Sequence, residues 1–364
     1  MYDIILSFIT AFAMTYIVVP SVIRVANIKK LIDIPGERAV HHTPTPSLGG
    51  IAIFAGTVFA ITLWTPFSYF ANLQYILAAM IIIFLIGAKD DVVPMSPSRK
   101  LGGQVLVALI LVFRADVIIN NFYGLFGVYI LPEWFSILFS IFVIILIINA
   151  FNLIDGINGL AASIGIIISV VFGTWFFLIE RVELAMVAFA LTGALIAFLK
   201  YNVTPAEIFM GDTGSMLVGF VCTILAIKCL ETHNDYFAEK LIEKPYLGIY
   251  KMEAAPAVVV GILIIPLFDT LKVFITRMLR GRSPFMPDKT HTHHLLLDTG
   301  LAHIQATSVL VLVNIIFIFI SFYFQFLGIF WLMIIIIGLA LALSSLLTYF
   351  SLKTRRNKEK LEMN

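Results

Sequence analysis

Residues 134–160 read WFSILFSIFVIILIINAFNLIDGINGL. The run from 134 to 150 is almost wholly apolar, and the remainder places Asn152, Asp155 and Asn158 among small and aliphatic residues. A hydrocarbon core about 30 Å thick takes roughly 20 apolar residues per helix, and in lipid the backbone has to satisfy its own hydrogen bonds. The segment therefore reads as a membrane helix that opens onto a polar mouth. It lacks the in-and-out alternation of barrel strands.

The same pattern recurs along the chain. Apolar runs at 4–25, 48–65, 73–88, 102–119, 134–150, 159–179, 184–200, 214–230, 255–276, 306–326 and 328–350 predict an all-α, polytopic integral membrane protein with about eleven transmembrane helices. Residues 1–352 form a single transmembrane domain, and 353–364 form a basic tail. With 60% hydrophobic residues, 13% charged residues and a mean hydropathy of +1.02, a soluble globule is excluded. A net charge of +2, with no basic stripe carrying interleaved aromatics, excludes nucleic acid as a partner. Cys222 and Cys229 share one apolar run seven residues apart, which implies neither a redox nor a metal role. The apolar run from Ile4 lacks a basic leader and a small-residue cleavage site, so it is expected to be a retained helix.

Positive charge sets the orientation. With the tail inside, inner segments hold seventeen of the 24 Lys and Arg residues and outer segments hold six. This predicts the N-terminus outside and the C-terminus in the cytoplasm. The inner loops are then 26–47, 89–101, 151–158, 201–213 and 277–305. Polar clusters gather in these loops or at their junctions with the helices. The outer segment 231–253 mixes Glu, Asp, Lys and His and is expected to be a solvated loop.

Each cluster admits a functional and a structural reading. Asp90-Asp91 ends the third run; neighbouring helical residues point about 100° apart, so one carboxylate can face a site while the other meets Lys89 or a helix end. Carboxylates at a helix mouth are expensive unless they meet cations or a function. Asn152, Asp155 and Asn158 recur at three-residue spacing with Gly156 and Gly159 between and after them, an arrangement that gathers side chains and admits a close ligand. Asp212, with Thr213 and Ser215, is either a helix cap or a hard oxygen ligand for Mg²⁺. Phe209 either faces lipid or stacks on a base. In the longest inner loop, His291, His293 and His294 follow Arg277, Arg280, Arg282 and Lys289. No cysteine or suitably spaced acid completes a four-ligand zinc set, and the cations fit a diphosphate or anionic lipid better. Asp269 lies within helical reach of Lys272 and is expected to form a structural ion pair with it. His41 and His42, among prolines, are expected to be loop residues, with Gly49-Gly50 opening the second helix as a close-packing or ligand-approach point.

Taken jointly, from Pro35-Gly-Glu-Arg through His294, these motifs resemble the polyprenyl-phosphate N-acetylhexosamine-1-phosphate transferases, and most closely the bacterial UDP-N-acetylglucosamine:undecaprenyl-phosphate branch. The resemblance implies Asn152 and Asp212 as ligands of Mg²⁺, with Mn²⁺ as an alternate ion, and Asp90, Asp91, Asp155 and Asp212 as the catalytic acids. It implies contacts to the nucleoside from Phe209, by stacking on uracil, and from Asp155, Asn158 and Asn202. It assigns phosphate to Lys100, Arg280, Arg282, His291, His293 and His294. The implied partners are a UDP-N-acetylhexosamine, undecaprenyl phosphate and the lipid bilayer of the bacterial inner (cytoplasmic) membrane, with a homodimer as the candidate assembly. One departure stands out: most bacterial relatives carry a second aspartate where this chain has Asn158, which excludes a general base at that position.

The reaction this implies is the transfer of N-acetylhexosamine 1-phosphate, most simply N-acetylglucosamine 1-phosphate, with release of UMP. Direct attack by the lipid phosphate is expected, against a covalent route through Asp90 or Asp91. The alternatives are the muramoyl-pentapeptide branch of the same superfamily and, in a different class, an ion-coupled transporter. A transporter would place acid pairs at mid-bilayer, whereas nearly all acids here sit at one mouth.

Overall fold

The computed structural model describes residues 2–33, 45–66, 70–279, 281 and 291–362. Each of the eleven apolar runs is helical: α1 Tyr2–Lys29, α2 Gly49–Trp64, α3 Phe70–Val92, α4 Pro97–Arg114, α5 Glu133–Ile154, α6 Leu160–Leu178, α7 Val182–Asn202, α8 Gly211–Glu243, the pair α9 Ala255–Ile262 and α10 Ile264–Leu279, α12 His303–Tyr323 and α13 Ile329–Glu362. A short helix, α11 Thr292–Asp298, lies between α10 and α12. Among the described residues seven helices are long and apolar enough to cross a membrane, or eight with α9 and α10 taken as one span. The chain is an all-α polytopic membrane protein.

Three elements differ from the sequence expectation. The ninth run is not one rod, because α9 and α10 meet at an 82° bend at Leu263. The fourth run ends early, at Arg114, and the chain then forms an antiparallel hairpin of β3 (Asn121–Leu125) and β4 (Val128–Ile130). A shorter ladder pairs β1 (Ile32–Asp33) with β2 (Thr45–Pro46). The segment expected as an outer loop instead continues α8 as far as Glu243, and a 3₁₀ turn follows at Pro245–Tyr250.

The axis of the bundle is α8. In its most apolar window 94% of residues are buried, against 17% in α13, so α8 packs among helices while α13 faces lipid. Around α8 stand α3, α5, α2 and α6, with α7 between α1 and α6. Lipid offers no hydrophobic drive to bring helices together, so close contact rests on small residues. At the mouth, an added methyl at Gly50 would collide with the backbone of Gly214, and one at Gly87 with the backbone of Thr213. These contacts bring α2 and α3 onto the first turn of α8, where backbone amides Gly49 and Gly50 donate to the carbonyls of Phe209 (3.0 Å) and Met210 (2.9 Å). Gly50→Ala has no side chain to push aside and is expected to destabilise the fold by about 1–3 kcal/mol, the overpacking range. A lower midpoint of thermal unfolding in detergent checks this.

Several polar residues inside the bundle pair with one another. Gln104 of α4 and Asn149 of α5 exchange amide hydrogen bonds of 3.3 and 2.7 Å, and Ser169 of α6 meets Thr192 of α7 at 2.8 Å. Such pairs satisfy groups that lipid cannot.

Candidate active site at the mouth of the central helix

α8 begins at Gly211, whose backbone is left-handed (φ 69°), a conformation that favours glycine. The first amides of a helix lack partners within it. Here the partner comes from α3: Asp91 Oδ1 accepts from the backbone N–H of Asp212 at 2.7 Å, and Oδ2 accepts from the backbone N–H of Thr213 at 3.0 Å and its hydroxyl at 2.5 Å. The cap, one of the two readings of Asp212, is thus supplied by Asp91, and of the aspartate pair one member does meet a helix end. Ser215 turns back to the Gly211 carbonyl at 2.9 Å.

Relieved of capping, the Asp212 carboxylate faces two other elements. Its Oδ2 lies 2.5 Å from Lys100 Nζ, and its Oδ1 accepts from Asn152 Nδ2 at 2.5 Å. Lys100 reaches Asp90 Oδ2 as well, at 3.0 Å, while Asp90 Oδ1 accepts from the Met95 amide at 2.5 Å. Asn152 also donates to Ser215 at 3.0 Å. Residues from α3, α4, α5 and α8, separated by up to 122 positions, therefore meet at one mouth. Burial pulls the Lys100 ammonium down, but Asp212 and Asp90 beside it outweigh that and hold it charged.

Asp155 follows α5 as its C-cap. Burial first, then the nearby Asp212 and Asp91 carboxylates, push its acid well above the usual carboxylate range. Among the described residues the site is thus a crowd of carboxylates around one ammonium, with Asn152 turning its Nδ2 to Asp212 and Ser215. Carboxylates are the hard oxygen donors that a divalent cation such as Mg²⁺ takes, commonly one or two from the protein with phosphate and water completing the shell. Among the described residues no group of three or more acids, histidines or cysteines is gathered to hold one alone.

The turn after α5 is braced from the side. Asn202, buried at the end of α7, accepts from the Gly159 amide at 2.8 Å and donates to the Ile208 carbonyl at 2.9 Å, so its amide ties two inner loops together. Asn158 donates to the Thr204 hydroxyl at 3.1 Å, and its carbonyl accepts from Thr307 at 2.9 Å. The Thr204 hydroxyl can equally donate to a carboxylate. Asn158→Asp is therefore expected to keep turnover within about twofold, as for substitutions that preserve their contacts. Phe209, half-buried, is fixed by its backbone, with its amide donating to the Pro46 carbonyl at 2.7 Å.

The histidine run comes to the same turn. His291 and His293 are buried with rings 5.7 Å apart and nearly parallel, and a methyl on Gly156 would strike the His293 imidazole. Burial, then the His294 ring, push His293 down to about 3, so it stays neutral at physiological pH and can offer a ligand hydrogen bonds but no charge. Asp269 departs from expectation: it binds His291 and Thr292 of this run, while Lys272 Nζ has no hydrogen-bond partner among the described residues. Arg280, Arg282 and Lys289, like His41 and His42, lie outside the described residues. Sequence reasoning missed Gln104 and Asn149, whose polar character inside apolar helices was the signal available.

With this geometry in hand, the comparisons with known proteins converge. The model of glycosyl transferase family 4 matches residues 73–230, which include Asp90, Asp91, Lys100, Asn152, Asp155 and Asp212. The chain is 31% identical over 323 residues to the decaprenyl-phosphate N-acetylglucosaminephosphotransferase of Mycobacterium tuberculosis, covering 84% of this chain and 78% of that protein. It is 30% identical over 319 residues to the probable undecaprenyl-phosphate N-acetylglucosaminyl 1-phosphate transferase of Bacillus subtilis, covering 86% and 82%. It is 28% identical over 289 residues to the undecaprenyl-phosphate alpha-N-acetylglucosaminyl 1-phosphate transferase of Salmonella typhi, covering 78% and 73%. The polar mouth and the length of these matches place the chain in glycosyl transferase family 4.

Proposed function

We propose that this protein transfers N-acetylglucosamine 1-phosphate from UDP-N-acetylglucosamine to undecaprenyl phosphate, releasing UMP, as the first membrane step of cell-envelope polysaccharide synthesis. The observation that carries the reading is the Lys100 bridge between Asp90 and Asp212, with Asn152 on the same carboxylate. Relatives named for transfer to polyprenyl phosphates support the acceptor and the sugar. The eleven helical runs and the charge asymmetry support a topology with the N-terminus outside and this mouth on the cytoplasmic face of the inner membrane, where a soluble nucleotide sugar and a membrane lipid both have access.

An oxygen of the lipid phosphate forms a bond to the β-phosphorus of the nucleotide sugar as the bond to the UMP oxygen breaks. A lipid phosphate monoester is already largely dianionic near neutral pH, given a second pKa of about 6, so no strong base is needed. The barrier is the approach of two anions. Lys100 offsets it directly, and Asp212 and Asn152 would hold Mg²⁺, which when bound supplies charge neutralisation at the diphosphate. Asp91 keeps Asp212 in place through the first turn of α8. Asp155, its acid pushed above the usual carboxylate range, can donate a hydrogen bond to a phosphate oxygen when protonated.

The state of Asp155 has a signed consequence. Below its raised value the acid is neutral; above it, ionisation adds a negative charge where the diphosphate binds. KM for the UDP-sugar is expected to rise as pH climbs through that raised value, and Asp155→Asn to lose that limb, as measured by initial rates across pH. The reading itself is tested by incubating purified protein with undecaprenyl phosphate, Mg²⁺ and a panel of UDP-sugars while following UMP. UMP release with UDP-N-acetylglucosamine, dependent on both lipid and metal, is expected. Release with UDP-N-acetylmuramoyl-pentapeptide alone, or none with any donor, contradicts it.

A further inference from the structure

Asp269 lies in the second turn of α10, just past the 82° bend, and is buried. It accepts three hydrogen bonds from the start of the histidine run. Oδ1 takes the backbone N–H of Thr292 at 2.7 Å and its hydroxyl at 2.5 Å, and Oδ2 faces His291 Nδ1 at 2.7 Å. An ionised carboxylate only accepts, so this contact puts the ring proton on Nδ1 and leaves Nε2 as the nitrogen not engaged by Asp269. The ring so held stacks on His293, and His293 abuts Gly156 beside Asp155.

The two oxygens divide two tasks. One caps the first turn of α11, which has no cap of its own. The other sets the orientation and tautomer of a histidine at the site. We propose that Asp269 is a positioning residue of the transfer reaction, acting through His291 by fixing its Nδ1–H tautomer and seating the histidine run against the turn at Gly156. The inference rests on the transferase reading above.

The division of labour makes the two tasks separable. In Asp269→Asn the carbonyl can still take the Thr292 amide, but the new NH₂ group donates toward Nδ1 and drives the ring proton to Nε2. Thr292→Val removes only the hydroxyl part of the cap. The full-length protein, labelled with ¹⁵N-histidine in detergent, reports the tautomer, with His291→Gln identifying the signal among seven histidines. The expected result is an Nδ1–H ring at His291 in the wild type and an Nε2–H ring in Asp269→Asn. Its kcat for UMP release is expected to fall about 10–100-fold, the range for partners that orient a working group, with KM for the UDP-sugar little changed. Thr292→Val should keep both tautomer and kcat. Wild-type kcat in Asp269→Asn, an unchanged tautomer in that variant, or equal losses in Thr292→Val would overturn the proposal. If Asp269→Asn does not fold, an Nε2–H ring at His291 in the wild type would overturn it and an Nδ1–H ring support it. A wild-type protein that releases no UMP yet shows the tautomer switch would instead overturn the transferase reading.

Discussion

Replacing Lys100 by glutamine is expected to cut UMP release by roughly 10²–10³-fold, the loss typical when one preorganised electrostatic group is removed. The side chain is the one cation that touches both Asp90 and Asp212 among the described contacts, at 3.0 and 2.5 Å. Without it, two carboxylates face each other across a half-buried mouth with no cation between them among the described residues. A positive charge at this place is worth far more than on an open surface, because water is partly excluded. The loss should fall mainly on kcat, and thermal unfolding of the variant serves as the control for folding. Near-normal kcat in a folded Lys100→Gln variant would remove the lysine from the chemistry.

The second large effect is expected at Asp91. Asp91→Ala strips three hydrogen bonds from the first turn of the most buried helix. Loss of a helix cap alone costs about 0.5–2 kcal/mol, and an unsatisfied buried amide about 1–3 kcal/mol more. The midpoint of thermal unfolding should therefore drop, and turnover should collapse with it, because Asp212 loses the anchor of its backbone. Asp90→Ala makes the contrasting case. It releases Lys100 from one partner but leaves the cap on α8 intact, so turnover should fall while the unfolding midpoint stays closer to wild type. Equal midpoints for the two variants would contradict this division between neighbouring aspartates.

That division marks the boundary of what the sequence could tell. The all-α membrane class was legible because runs such as 134–150 have no other stable state in lipid, whereas of the eleven spans expected, seven or eight are long and apolar enough to cross a membrane among the described residues. The gathering of Asp90, Lys100, Asn152, Asp155 and Asp212 at one mouth was also legible, through topology and family resemblance. Which aspartate caps and which binds was not, because helical spacing puts Asp90 and Asp91 only about 100° apart and the helix end that Asp91 meets is 121 residues away. Asp269 failed for a related reason. Local spacing offered Lys272, but the three donors of His291 and Thr292 lie beyond a loop that periodicity does not place. The bend at Leu263 and the hairpin after Arg114 carry no hydropathy signal, since both lie in or beside apolar sequence. Asn202 read as a ligand contact by resemblance, and its two bonds to Gly159 and Ile208 give it the position of a brace.

The most direct test follows the phosphorus. Purified protein is given UDP-N-acetylglucosamine labelled with ³²P at the β-phosphate, together with undecaprenyl phosphate and Mg²⁺, and the lipid and aqueous fractions are counted. Transfer of a phosphosugar predicts that the β label enters the lipid fraction in step with release of unlabelled UMP, and that Asp212→Asn abolishes both. Label recovered in released UDP, or a fully active Asp212→Asn variant, would contradict the account.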